Sequence, residues 1–220
     1  MDDVKPLGRA YASDRRHRQA QQTKSDILDA AQDLFVRVGY AATTMAAVAA
    51  EARVAPATVY AGFASKRGLL EAVMDRIVAR GREPAPVEAW PEFRAAMSET
   101  DPGRTLARAA LVVREVNERA ALLAEITAAV DPDLAELNRT YADRRHEDTR
   151  TLINALADRG MLTPGLSAAA ASDVAWTLNG PEVYQLLVTR RGWSPERYEH
   201  WLAETLTALL IAPRTPTGPT

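Results

Sequence analysis

The stretch TTMAAVAAEARVAPATVYAGFASKRGLL, Thr43–Leu70, decides how this chain is read. Two adjacent threonines offer hydroxyls to cap a helix. Met45, Val48, Ala49 and Ala52 then recur at helical spacing and give that helix an inner face. Its neighbour must lie close, because alanine has little volume with which to span a gap. Pro56 has no amide proton, and its fixed φ suits a first helical turn. Val59, Tyr60 and Phe63 anchor a second short helix. A short helix, a turn of about three residues and another short helix make a helix-turn-helix layout, which plain helical bundles also contain.

The flanks support the same organisation. Upstream, Ile27, Ala30, Ala31, Leu34, Phe35 and Val38 repeat at three- and four-residue steps, predicting a helix over Thr23–Val38 that Gly39 terminates. Downstream, Ser65 caps a helix predicted over Lys66–Arg80, with Leu69, Leu70, Val73, Met74 and Ile77 as its apolar stripe. Gly68 in its first turn is an entropically poor choice. Residues 1–22 lack a steady period and hold Arg15, Arg16, His17 and Arg18, which predicts a basic flexible arm. The helix-turn-helix domain with its connecting helix is thus expected over 23–80.

Gly81, Pro84, Pro86 and Pro91 then interrupt the pattern, and a second domain is expected over 81–211. Its sequence reads as helical throughout. Segments are predicted at Pro91–Glu99, Arg104–Arg119 and Ala120–Val130. A long helix follows from Asp131–Pro132 to Arg159, just before Gly160. Ala168–Arg191 is expected to break or bend at Gly180–Pro181. Ser194–Pro195 opens the last helix, whose Tyr198, Trp201, Leu202, Thr205, Leu206, Leu209 and Leu210 form a wide, heavy stripe. Such a stripe suits either an intrachain core or a second subunit. Residues 212–220 hold three prolines and read as a loose tail. The fold class is all-α.

Composition excludes several kinds of chemistry. There is no cysteine, so disulfides, thiol catalysis and thiolate metal sites are out. His17, His146 and His200 are far apart and lack metal spacing. His146–Glu147–Asp148 is not a catalytic constellation, because adjacent helical residues point in different directions. No phosphate loop, zinc motif or nucleophile elbow is present, so the chain does not read as an enzyme and no cofactor is implied. No apolar run approaches the roughly 20 residues of a membrane span, and a cytoplasmic location is the expectation. The net charge is −2, but residues 1–80 carry 12 Lys and Arg against 9 Asp and Glu, whereas the rest carries 15 against 20. That asymmetry has the sign expected if only the front of the chain meets phosphate.

Over about residues 24–74, with the stretch ILDAAQDLFVRVGYAATTMAAVAAEARVAPATVYAGFASKRGLLEAV, the sequence resembles the TetR family of bacterial transcription regulators. The resemblance is carried jointly by the first helix face, Gly39, Thr43–Thr44, Thr58–Val59–Tyr60, Phe63 and Ser65–Lys66. The C-terminal PEVYQLLVTRRGWSPERYEHWLAETLTALL, Pro181–Leu210, is similar to the final helices of some members. The resemblance implies a homodimer whose two recognition helices meet successive major grooves of a palindromic double-stranded operator. It implies a small organic effector bound by the larger domain, and most members repress. An activator, or a helical sensor without specific DNA binding, would share the fold.

On that basis Thr44, Tyr60 and Lys66 are expected to position the protein on phosphates. Ala57 and Thr58 are expected at base edges, with methyl groups against thymine and the Thr58 hydroxyl as a hydrogen-bonding group. Thr43, Arg53 and Arg67 are further candidate contacts, and Arg15, Arg16 and Arg18 of the arm are candidates for a minor groove. Three departures stand out. Gly62 replaces a common histidine, Arg67 a common acidic residue, and Arg53 a frequent glycine. The effector pocket is expected among Trp90, Phe93, Met97, Asn117, His146, Arg150, Asn154, Trp176 and Tyr184, a mixed lining that suits an apolar molecule with a few polar handles. The dimer interface is expected to use Leu178, Leu186, Tyr198, Trp201, Leu202, Thr205, Leu206 and Leu209.

Overall fold

A computed structural model describes residues 7–79, 85, 89–127 and 132–212. The described chain is helical: α1 Leu7–Val38, α2 Met45–Glu51, α3 Pro56–Phe63, α4 Lys66–Val78, α5 Pro91–Ser98, α6 Pro102–Thr127, α7 Pro132–Asp158, α8 Ala168–Leu178, α9 Pro181–Tyr184 running into a π-helical turn Gln185–Arg190, and α10 Pro195–Leu210. The all-α expectation is met. No helix is long and apolar enough to cross a membrane among the described residues. The chain divides into two compact units, Met1–Asp75 and Arg76–Thr220.

The first unit closes over one small core. Ile27, Ala31, Leu34 and Phe35 of α1 are buried, as are Val48 and Ala49 of α2, Val59 and Phe63 of α3, and Leu69, Leu70 and Val73 of α4. The alanines have the effect the sequence predicts: α2 and α3 come close because little separates their backbones. Phe35 and Tyr40 meet ring to ring at 5.5 Å across Gly39, whose φ of +85° turns the chain out of α1.

One expectation needs correction here. The first helix starts at Leu7, not Thr23, so Arg15, Arg16 and Arg18 stand exposed on a continuous helix rather than on a flexible arm. Period alone missed this, because a helix with water on all sides needs no apolar stripe and can rest on side-chain pairs four apart. Two such pairs are present: Gln22 donates to Asp26 at 2.8 Å, and Gln21 meets His17 at 3.0 Å.

In the second unit the core is Leu106 and Ala110 of α6, Ile153 and Leu156 of α7, Ala171 and Ala175 of α8, Tyr184 of α9, and Tyr198, Leu202, Leu206 and Leu210 of α10. The segments predicted at Arg104–Arg119 and Ala120–Val130 are a single helix to Thr127; nothing between Arg119 and Ala120 breaks it. The predicted break at Gly180–Pro181 is present. Ser167 caps α8 and Ser194 caps α10, each accepting from an amide three residues on at 3.2 Å. The boundary expected near 80–90 falls largely outside the described residues, as does the tail at 213–220.

Candidate nucleic-acid interface

The α2–α3 pair is built from its caps inward. Thr44 is the N-cap of α2, and its Oγ1 accepts from the Ala47 amide at 3.1 Å. Thr43, its neighbour, is buried and donates its hydroxyl to the Gly39 carbonyl at 2.8 Å. Thr43 is therefore a turn-locking residue and not a surface contact. Two adjacent threonines face opposite ways because the backbone is extended at the cap, with Thr44 at φ −117° and ψ 152°.

α2 ends in a Schellman motif. The Val54 amide donates to the Ala49 carbonyl at 2.9 Å and the Arg53 amide to the Ala50 carbonyl at 3.2 Å. Arg53 occupies the left-handed position of that motif, at φ +56°. Pro56 then opens α3, as the sequence predicts. Val59 and Phe63 turn inward, and Ala55, Pro56, Ala57, Thr58, Tyr60, Ala61 and Gly62 remain exposed. Tyr60 is 53% exposed. Thr58 is exposed as well, and because two helical residues separate by about 200° the two side chains leave α3 on opposite flanks of the buried Val59–Phe63 face.

The two basic residues that open α4 are engaged within the chain. Lys66 donates to the carbonyls of Tyr40 and Ala41 at 2.9 and 3.2 Å, and its ammonium sits 4.4 Å from the Tyr40 ring centroid. Arg67 pairs with Glu71 at 3.1 Å. On α1, Arg37 pairs with Glu51 at 3.4 Å. Lys66 was expected on a phosphate; the structure puts it on the turn between α1 and α2. Sequence reasoning had no signal for this, since two carbonyls and a ring 25 and 26 residues away are supplied by the fold.

In the second unit, four of the nine residues expected to line a pocket, Asn117, His146, Trp176 and Tyr184, fall in one linked set of contacts. Asn117 is buried and donates to the Asn179 carbonyl at 3.1 Å and toward the Tyr198 hydroxyl at 3.5 Å. Asn179 donates to Thr149 Oγ1 at 3.0 Å and accepts from Arg145, which also reaches the Trp176 carbonyl at the end of α8. Burial lowers the Arg145 pKa from its ordinary value. Tyr184 is buried edge-on to Tyr198, with ring centroids 5.0 Å apart. His146 stacks edge-on with Trp176 at 5.8 Å, and the Trp176 indole donates to the Ala142 carbonyl at 3.2 Å. Arg150 is exposed and paired with Glu147 at 2.6 Å, and Asn154 is exposed. Trp90, Phe93 and Met97 lie on or beside α5. A surface hollow of about 250 Å³ is walled by Pro91, Glu92, Ala95, Arg108 and Leu111, none of them among the nine expected residues. Among the described residues no group of three or more His, Asp or Glu is placed to hold a metal.

The expected dimer residues divide sharply. Tyr198, Leu202 and Leu206 are buried in their own chain's core and are not interface residues. Leu186 and Leu209 are about half exposed, at 50% and 52%. Leu178, Trp201 and Thr205 are half-buried.

The geometry of residues 7–75 meets a sequence finding here. Residues 27–73 match the family model described as bacterial regulatory proteins, tetR family. The chain carries a TetR-family domain. The HTH-type transcriptional regulator YvkB of Bacillus subtilis is 44% identical over 54 residues, 24% of this chain and 29% of that protein. UidR of Escherichia coli, another HTH-type transcriptional regulator, is 35% identical over 75 residues, 32% of this chain and 38% of that one. The matched part is thus between 29% and 38% of these curated relatives' own length. Solved structures extend the likeness of fold beyond it. NalD, the secondary repressor of the MexAB-OprM multidrug efflux pump in Pseudomonas aeruginosa, superposes with a TM-score of 0.65 at 21% identity, over 88% of this chain and 98% of that one. SmeT, solved with triclosan, gives 0.66 at 18% identity, over 90% and 99%. The likeness of fold to these solved structures therefore extends over both units, while the family-model match lies within the first.

Proposed function

We propose that this chain is a transcriptional repressor without catalytic activity. It binds a palindromic operator as a homodimer and leaves it when a small organic effector enters the second unit. The observation that carries the reading is α3 itself: a short helix opened by Pro56 and seated through Val59 and Phe63, whose exposed residues are Thr58 on one flank, Tyr60 on the other and small side chains between. A helix so presented fits the major groove, with hydroxyls and methyl groups toward base edges and phosphates.

The relatives' descriptions support the same direction. YvkB and UidR are described as HTH-type transcriptional regulators, NalD is a repressor, and SmeT has been solved in complex with triclosan. The half-exposed Leu186 and Leu209 are the side chains best suited to meet a second copy. The test is binding of purified protein to promoter duplexes at stated salt, with and without candidate effectors. Specific binding to an inverted repeat, reversed by one class of compound, is the expected result; sequence-indifferent binding alone contradicts the reading.

A further inference from the structure

Arg53 sits where an arginine costs stability. Its φ of +56° lies in the left-handed region, which crowds any Cβ and which glycine adopts freely. The position is the one after the C-cap of α2, where a Schellman motif favours glycine. A cation does oppose the negative end of a helix dipole, but any residue of the last turn supplies that charge without strain. The backbone alone therefore gives no reason for arginine here.

The surrounding charges give one. From Thr43 to Ser65 the chain has two charged residues, Glu51 and Arg53. Glu51 is paired with Arg37. Just beyond, Lys66 is held by two carbonyls and Arg67 by Glu71. Arg53 is exposed, and its guanidinium has no hydrogen bond or ion pair among the described residues. It stands three residues before Pro56, where the exposed side of α3 begins. Strain retained at an exposed, unengaged side chain is the pattern expected where the side chain serves a ligand.

We infer that Arg53 is the cation by which the α2–α3 unit grips the DNA backbone, its planar fork donating to a phosphate beside the groove that α3 enters. The inference rests on the proposed DNA-binding function and adds to it the residue that supplies the charge. It makes Arg53 a residue whose contributions to folding and to binding have opposite signs.

The experiment compares wild type, Arg53→Gly and Arg53→Asn, using full-length protein and a duplex selected by wild type from a random pool. Thermal midpoints and affinities over a salt series are read on the same samples. Relief of strain raises the Arg53→Gly midpoint by roughly 2–4 °C. Asparagine tolerates the left-handed backbone and keeps the fold without the charge. Both variants bind the duplex about tenfold or more weakly, and the slope of log affinity against log salt becomes shallower by about 0.9 per protomer. If both variants keep wild-type affinity and slope, the inference is overturned while the DNA-binding reading stands. If wild type selects no duplex at all, the reading itself fails and the inference with it.

Discussion

The Lys66 ammonium lies 2.9 Å from the carbonyl oxygen of Tyr40 and 4.4 Å from the centroid of its ring. It thereby joins the start of α4 to the turn that sets α2. A charged donor on two carbonyls contributes roughly 1–2 kcal/mol net, since water would otherwise solvate all three groups. Lys66→Met keeps the apolar stem and removes the charge. The expected outcome is a loss of about 1–2 kcal/mol in denaturant unfolding, with the salt dependence of DNA binding unchanged. Unchanged stability with a shallower salt slope would return Lys66 to the phosphate backbone.

Two small residues around the end of α3 are expected to move stability in opposite directions. Ala64 has φ +56°, so Ala64→Gly relieves strain and stabilises by about 0.4–1 kcal/mol. Gly68 lies within α4, where alanine is ordinarily better by about 1 kcal/mol. A Cβ on Gly68, however, would stand 2.5 Å from the Phe63 carbonyl oxygen. That overlap is with backbone and exceeds the helix gain, so Gly68→Ala is expected to destabilise by roughly 1–3 kcal/mol. Urea unfolding of the two variants checks both signs.

Burial pushes the Tyr198 hydroxyl up to about 12 from an ordinary value of 10.0, and burial raises Tyr184 beside it in the same direction. Below pH 10 both folded and unfolded chains hold the Tyr198 proton, and its contribution is complete. Between 10 and about 12 the unfolded chain releases the proton first, so stability falls as pH rises, by about 2–3 kcal/mol in all. Tyr198→Phe should flatten the alkaline limb of the stability curve, leaving the smaller part due to Tyr184. An identical limb in the variant would place the titration elsewhere.

What the sequence reveals depends on what each residue faces. The helix-turn-helix was legible because its caps and inner face are local: Thr44, Pro56, Val59 and Phe63 do in the structure what their spacing predicts. The break at Gly180–Pro181 was legible for the same reason. Tyr198, Leu202 and Leu206 were misassigned because a broad stripe marks burial without saying by what. For Asn117, Tyr184 and Trp176 the partners lie on other helices of the same unit, and local spacing cannot name them. Arg15 belonged to a helix that no apolar period betrays.

On α10 the same face carries two leucines with different expected effects. Leu206→Ala empties a buried site and should cost roughly 2–5 kcal/mol. Leu209, at 52% exposed, is expected to matter only between subunits. Leu209→Glu should change unfolding at low protein concentration by no more than about 0.5 kcal/mol. It should also shift sedimentation from dimer toward monomer. A variant that remains fully dimeric removes Leu209 from the interface.

The most direct measurement is selection of duplexes by the purified protein from a random pool at physiological salt, followed by the mass of the complex on the recovered sequence. The account predicts an inverted repeat occupied by two copies or a multiple of two, with half-sites about one helical turn apart. Recovery of no preferred sequence, or of a single half-site held by one copy, would contradict it.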